Sequence, residues 1–314
     1  MDTKTFYSNG KLLITGEYLV LDGTNALALP TRLGQSLIID QGLNQEINWT
    51  SYDSDGTIWF KETILYTDIS NFIPTKVETV KNTLIRILHQ AYIQNSSFLQ
   101  DNFGYNIETK LTFARKWGLG TSSTLINNIA QWLTIDAFEL LNNSFGGSGY
   151  DIACAQYGHP ITYRLENGKP IVTPIIFKPE FRDQIYFVYL NQKQSSKSAI
   201  ENYKLNKKEN FNGKIAFFDR LTTDAIEANT AAEFANILEV HESKLSSILN
   251  TPTVKELLFP DFEGTVKSLG AWGGDFVMAI ATKDPKEYFI SKGYETIFTY
   301  DALILNEATN TSQL

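Results

Sequence analysis

Three glycine-rich segments stand next to the residues of this 314-residue chain that could do chemistry. Gly118-Leu119-Gly120 runs into Thr121-Ser122-Ser123, Gly146-Gly147-Ser148-Gly149 runs into Tyr150-Asp151, and Gly270-Ala271-Trp272-Gly273-Gly274 ends at Asp275. Glycine lets backbone N–H groups approach an anion with no Cβ in the way, so the set suggests a backbone-lined anion pocket. Taken singly, each reads as a tight turn. The common nucleotide fingerprints are missing: there is no Gly-x4-Gly-Lys-Ser/Thr loop, and Gly118-x-Gly120 does not complete Gly-x-Gly-x-x-Gly. The His-Arg-Asp and Asp-Phe-Gly signatures are also missing, so any phosphoryl transfer must use another scaffold.

Charge sharpens this expectation. Twenty-seven Lys and Arg against 35 Asp and Glu give a formal charge of −8, the wrong sign for a nucleic-acid binder. Positive charge for an anionic ligand must then be local, from a few lysines or arginines and from helix N-termini. Cys154 is the only cysteine, which excludes an intrachain disulfide, and with three scattered histidines there is no Cys/His zinc set. A reducing, cytoplasmic setting follows as the expectation. Residues 1–21 lack a basic segment followed by a long apolar core, and no window reaches the roughly 18 apolar residues of a membrane span.

The elements that must position these segments are legible in outline. Two short apolar runs between Lys11 and Leu29, flanking Gly16-Glu17 and then Asp22-Gly23, suit strands joined by tight turns. Further strands are expected at Ser36–Asp40, Glu46–Thr50, Thr57–Phe60, Tyr105–Thr112, Ile185–Leu190 and Phe276–Ala281. Helical spacing marks 77–94, a long helix from Thr121 through Leu125, Ile129, Leu133 and Leu140, a short one from Tyr150 to Gln156, and two more at 215–229 and 232–249. Glu166-Asn-Gly-Lys-Pro170 reads as a hairpin turn. The domain boundary is placed near residue 180, giving 1–180 and 181–314.

Read together and in order, Asn9-Gly10-Lys11 with Gly16-Glu17-Tyr18, the Gly118–Ser123 segment, Gly147-Ser148-Gly149-Tyr150-Asp151 and the 270–275 segment resemble the motifs of the GHMP small-molecule kinases. The resemblance runs from residue 9 to about 281. It implies an α+β fold with an S5-like N-terminal domain and a ferredoxin-like C-terminal domain, and ATP and Mg2+ as cofactors. It also implies that Gly118, Leu119, Gly120, Thr121, Ser122 and Ser123 wrap the ATP phosphates. Lys11 then neutralises charge on the transferring group, Ser122 and Glu139 lie on the magnesium side, and Asp151 is the general base. Glu17, Tyr18, Ser148, Gly149, Lys197, Gly273 and Gly274 fall on the substrate side.

Gly16-Glu17-Tyr18 and the run from Gly147 to Gly158 resemble the mevalonate-pathway branch, with phosphomevalonate or mevalonate as the acceptor. A phosphorylated acceptor beside ATP needs further cations, for which Arg115, Lys116, Lys193, Lys197 and Lys267 are candidates. The sequence departs from the family pattern at Asn9, at Ala114-Arg115-Lys116-Trp117 and at Trp272, where a glycine is usual. Those departures motivate the alternative of a catalytically silent binder with the same fold; a kinase for homoserine or a sugar, and a decarboxylase, also stay open. Partners are expected to be a small-molecule substrate and ATP, with no nucleic acid and no membrane. Oligomeric state, with a homodimer as one option, is not legible.

Overall fold

The computed structural model describes residues 2–74, 77, 79–100, 103–193, 196–206, 212–270, 272 and 274–305. In chain order its strands and helices are β1 (Lys4–Leu13), β2 (Ala26–Gln41), β3 (Glu46–Tyr52), β4 (Ile58–Leu65), α1 (Tyr66–Ser70), α2 (Val80–Gln94), β5 (Tyr105–Leu111), α3 (Thr121–Leu133), α4 (Ala137–Ser144), α5 (Tyr150–Gln156), β6 (Ile161–Glu166), β7 (Lys169–Pro174), β8 (Ile185–Tyr189), α6 (Ser196–Asn206), α7 (Asn212–Glu227), α8 (Ala231–Leu249), α9 (Val254–Leu258), β9 (Thr265–Ser268), β10 (Phe276–Ile280), α10 (Lys286–Ser291), β11 (Ile297–Thr299) and α11 (Tyr300–Leu303). The chain divides into two compact units. The first takes residues 1–10, 33–115 and 119–156, and the second takes 11–32, 116–118 and 157–314.

In the first unit β4, β3, β5 and the second half of β2 lie side by side, with β3 and β5 parallel and the other pairs antiparallel. The sheet carries a strict alternation on β5, where Tyr105, Ile107, Thr109 and Leu111 are buried and Asn106 and Lys110 are exposed. Tyr105 and Ile107 of that set pack with Leu37, Ile39, Trp49 and Ile64 against Leu84, Leu88 and Ala91 of α2 and Ile126, Ile129 and Leu133 of α3. Helix α2 starts at Val80, later than its apolar spacing suggested, because the Thr79 hydroxyl accepts the Asn82 N–H and caps it there.

The expected long helix from Thr121 is two helices. Thr134 turns left-handed (φ 55°) and Asp136 Oδ1 accepts the N–H groups of Phe138 and Glu139, so a new N-cap starts α4 while Leu140 stays in the core. The second apolar run between Lys11 and Leu29 also differs from expectation. Leu19–Asp22 is a turn of 3-10 helix closed by Gly23, because strand geometry is broken at Gly16 and at Tyr18.

The second unit holds the first half of β2 with β6 and β7, whose hairpin turns through Asn167 (φ 52°) and Gly168 (φ 75°) as the Asn-Gly pair leads one to expect. It also holds a four-stranded antiparallel sheet in the order β11-β8-β10-β9. Numbered within that sheet the order is 4-1-3-2, the ferredoxin-like arrangement. The chain from β8 to β9 passes through helices, and β9 packs against α8 and α9. Tyr186, Val188, Val266, Val277 and Ala279 form one core with Phe259, Phe262 and Phe289.

Candidate functional site

Within the first unit, the second and third glycine segments lead into neighbouring helices. Gly120 (φ 102°) is the left-handed residue before α3, and the Ser123 hydroxyl folds back to donate to the Gly120 carbonyl at 2.9 Å. Ser122 is exposed, Thr121 is half-buried and Leu119 is fully buried. Beneath this turn lies a neutral buried network. Thr124 donates to Gln35 Oε1 (2.8 Å), Asn128 donates to the Gln35 carbonyl (2.9 Å), Ser8 donates to Asn128 Oδ1 (2.7 Å), and Asn127 donates to Ser8 (2.8 Å). This network fixes the first two turns of α3 against β1 and β2.

Asp151 occupies the first turn of α5, half-buried, after Gly149 (φ 87°), whose carbonyl accepts the Ile152 and Ala153 N–H groups. Helix α5 packs on α3, so the unit brings the helix bearing Asp151 against the one begun by Gly120. Ser148 is half-buried and Gly149 buried. Glu139 lies elsewhere. It is exposed in the first turn of α4, just past the C-terminal end of α3, whereas Ser122 is in the first turn of α3. Eleven residues of helix put the two ends of α3 roughly 17 Å apart, so the structure does not bring Glu139 together with Ser122.

The second unit gathers Lys11 to Tyr18 of the first segment, the fourth segment and the entrance to the second. Lys11 is half-buried on β1. Gly16 (φ 81°) could not be another residue: a Cβ there would sit 2.7 Å from that of Ala26. Its N–H donates to His241 Nε2 at 3.1 Å, which makes that nitrogen the unprotonated one. Glu17 follows, 1% exposed, ion-paired with the ammonium of Lys267, itself fully buried. Lys267 also donates to the Ser268 carbonyl (2.7 Å) and lies 3.2 Å from Glu242 Oε2, while Glu242 Oε1 accepts the Ser268 N–H (3.0 Å).

Burial pushes the Glu17 carboxyl up to about 7, against the pull of Lys267. Burial also holds His241 well below its usual range, with Lys267 adding to the effect. Burial opposes the Lys267 charge too, but Glu17 and Glu242 outweigh it, and that pKa is raised. Lys267 was a candidate contact for an anionic acceptor; its ammonium is instead enclosed between two carboxylates of its own chain.

Tyr18 is held at φ 59°, ψ −42°, stacked on Tyr203 with ring centroids 5.5 Å apart, and its hydroxyl accepts the Trp272 N–H at 2.8 Å. Burial raises its pKa to about 12. The Trp272 ring packs in the same cluster as Tyr18, Leu19, Tyr203 and Phe218, and its indole N–H donates to the Pro252 carbonyl (3.2 Å). Trp117, another departure from the family pattern, is enclosed by Tyr189, Phe276 and Phe298. In the first unit Arg115 stacks over Trp59 at 4.6 Å, and its N–H donates to Asp53 Oδ1 (3.0 Å). These three aromatic and cationic departures are thus anchoring side chains.

Gly118 (φ 72°) meets Asp275: a Cβ on Gly118 would lie 2.3 Å from the Asp275 carboxyl carbon. Gly274 is buried, Lys116 and Lys193 are exposed, and Lys197 sits in α6, where its side chain lies outside the described residues. Gly273 lies outside them as well. His241 and Glu242 were not anticipated, yet a signal was present. They fall on the buried stripe of α8, Phe234, Leu238, His241, Glu242 and Leu245, where helical spacing otherwise demands apolar residues.

This architecture defines a class: the chain has the two-part α+β fold of the GHMP small-molecule kinases. The particular structures that share it include the Methanococcus jannaschii mevalonate kinase, at 16% identity over 98% of this chain and 99% of that one with a TM-score of 0.72. The Streptococcus pneumoniae phosphomevalonate kinase in complex with phosphomevalonate and AMPPNP matches at 16% identity over 95% of this chain and 100% of that one, with a TM-score of 0.70. The Lactococcus lactis galactokinase complexed with galactose matches at 12% identity over 98% and 94% of the two chains, with a TM-score of 0.69. No family model and no curated protein sequence matches this chain. Among the described residues no helix is long and apolar enough to cross a membrane.

Proposed function

We propose that the chain is an ATP-dependent small-molecule kinase acting on an acceptor of the mevalonate pathway, phosphomevalonate or mevalonate. The observation that carries the reading is the pairing, within one unit, of a glycine turn opening α3 with a carboxylate in the first turn of the adjacent α5. End-to-end likeness to kinases of this fold supports it. The exposed Ser122 and the N–H groups of the Gly118–Ser123 turn would hold the nucleotide phosphates. The exposed Ser122 hydroxyl, in the first turn of α3, is the side-chain oxygen that would hold Mg2+ beside the phosphates. That ion would neutralise charge developing on the transferring phosphoryl group; Glu139 takes no part in this reading.

Transfer is in line, from the ATP γ-phosphate to an acceptor oxygen, with no covalent enzyme intermediate. Asp151 takes the proton when the acceptor is a hydroxyl, and orients the acceptor when it is an already ionised phosphate oxygen. Lys11 offsets the gathered negative charge. The silent-binder alternative rested on Trp272 and on residues 115–117, of which the Trp272, Arg115 and Trp117 side chains anchor the loops they belong to.

The test is ADP release with Mg2+ and ATP across mevalonate, 5-phosphomevalonate, homoserine and galactose. Turnover with one of the first two is expected; if the acceptor is the mevalonate hydroxyl, it should fall about 10^2- to 10^4-fold in Asp151→Asn with folding intact. Turnover confined to homoserine or galactose would overturn the acceptor class. An Asp151→Asn enzyme near the wild-type rate on mevalonate would overturn the base.

A further inference from the structure

The first and fourth segments are tied together at two adjacent residues, and neither tie is made by a surface contact. Glu17 reaches the base of the fourth segment: it pairs with Lys267 of β9, and Lys267 and Glu242 between them hold both the carbonyl and the N–H of Ser268. Tyr18 reaches the middle of that segment, where its hydroxyl accepts the Trp272 N–H. Glu17 is 1% and Tyr18 8% exposed. Neither side chain presents the open polar surface that an acceptor contact needs.

Tyr18 also carries a backbone conformation that an aromatic residue rarely adopts. Strain of this kind persists only where the surroundings enforce it. Here the enforcing contacts are visible: the Tyr203 ring on one side, the Trp272 amide at the hydroxyl, and the Gly16 N–H held by His241 immediately before. The far end of the fourth segment is held separately. Asp275 donates its N–H to Gln192 and accepts from Leu190, and its carboxylate abuts Gly118.

We propose that Glu17 and Tyr18, acting through Lys267 and the Trp272 amide, are positioning residues that clamp Ser268 and Trp272 of the fourth segment in place and do not touch the acceptor. That the held segment serves a ligand rests on the kinase reading above; the clamp itself does not.

Tyr18→Phe tests the clamp with the least disturbance, since it keeps the ring and its stack and removes only the hydroxyl. Amide hydrogen exchange of the ligand-free full-length protein is read over Ser268–Asp275, with α3 and β5 as internal controls. Loss of the single hydrogen bond should speed exchange in that segment about tenfold and leave the controls unchanged. Any rise in the Kd of a non-hydrolysable ATP analogue with Mg2+, or in the KM for the acceptor, should appear only together with that loosened exchange. Glu17→Gln, which preserves shape, should loosen the same segment in the same direction.

Unchanged exchange in both variants overturns the clamp. So does a raised acceptor KM without loosened exchange, because Tyr18 would then touch substrate. A wild-type protein that binds no ATP analogue removes the kinase reading, while the exchange measurement still decides the clamp.

Discussion

Two buried polar clusters sit directly behind motif segments in this molecule, and they are built from opposite materials. In the first unit, Ser8, Gln35, Thr124, Asn127 and Asn128 tie the start of α3 to β1 and β2 using only neutral amides and hydroxyls. In the second unit, the charged Glu17, Lys267 and Glu242, with His241 as a neutral acceptor, tie the Gly16–Tyr18 turn to β9 and α8. The neutral cluster resembles ordinary secondary-structure bonding carried out by side chains: each hydrogen bond contributes modestly, and nothing in it titrates near neutral pH. The ionic cluster carries a large desolvation cost that mutual attraction must offset, so its balance depends on every member and on pH.

Lys267→Met should show the difference most strongly. Removing the cation leaves two buried carboxylates facing each other, and a loss of about 3–5 kcal/mol of unfolding free energy is expected in urea denaturation. A loss below about 1 kcal/mol would mean that the carboxylates are not held as an ionic cluster. Asn128→Leu, the corresponding cut in the neutral cluster, should cost about 1–3 kcal/mol, and that cost should not change between pH 4.5 and 7.

Acidity separates the two clusters further. Glu17 has a folded pKa raised from 4.5 to about 7, so between those values the folded state holds a proton that the unfolded state has released, and stability falls as pH rises. His241 has a folded pKa well below 6.5, so below 6.5 the unfolded state takes a proton that the folded state refuses, and stability falls as pH falls. In the wild type the two slopes oppose each other over the shared window below pH 6.5. Relative to wild type, His241→Gln should therefore gain stability as pH drops from 6.5 towards 4.5, by up to about 1 kcal/mol per pH unit, and Glu17→Gln should gain as pH rises from 4.5 to 7. Parallel pH profiles for wild type and both variants would remove the titration argument.

The smallest effect is expected at Trp272→Phe. Only the indole hydrogen bond to Pro252 and part of the ring contact are lost, so a cost of about 1 kcal/mol in thermal or urea unfolding should result. A cost above about 3 kcal/mol would make Trp272 a core residue in its own right.

Much of this molecule was legible before folding because it depends on local physics. The alternation of β5, the Asn167-Gly168 hairpin, the short helix after Gly149 and the glycine turn before Thr121 are set by side-chain period and by backbone freedom at single residues. The four ordered segments were enough to lead to the fold. What spacing misjudged were places where two local signals competed: the apolar stripe through Leu133 and Leu140 pointed to one helix, but the Asp136 cap divided it.

Tertiary structure alone decided which charges face solvent and which face one another. Lys267 reads along the chain as one more cation available to an anion, and only the pairing of β9 with β10, with α8 packed against β9, places its ammonium between Glu17 and Glu242, 250 and 25 residues away. Trp272 reads as a departure from the family pattern where a glycine is usual, yet its indole is bonded to Pro252 and packed beside Tyr18. Periodicity and turn chemistry act over a few residues and are written in order along the sequence, whereas a buried charge takes its partner from whatever element the fold brings within about 4 Å.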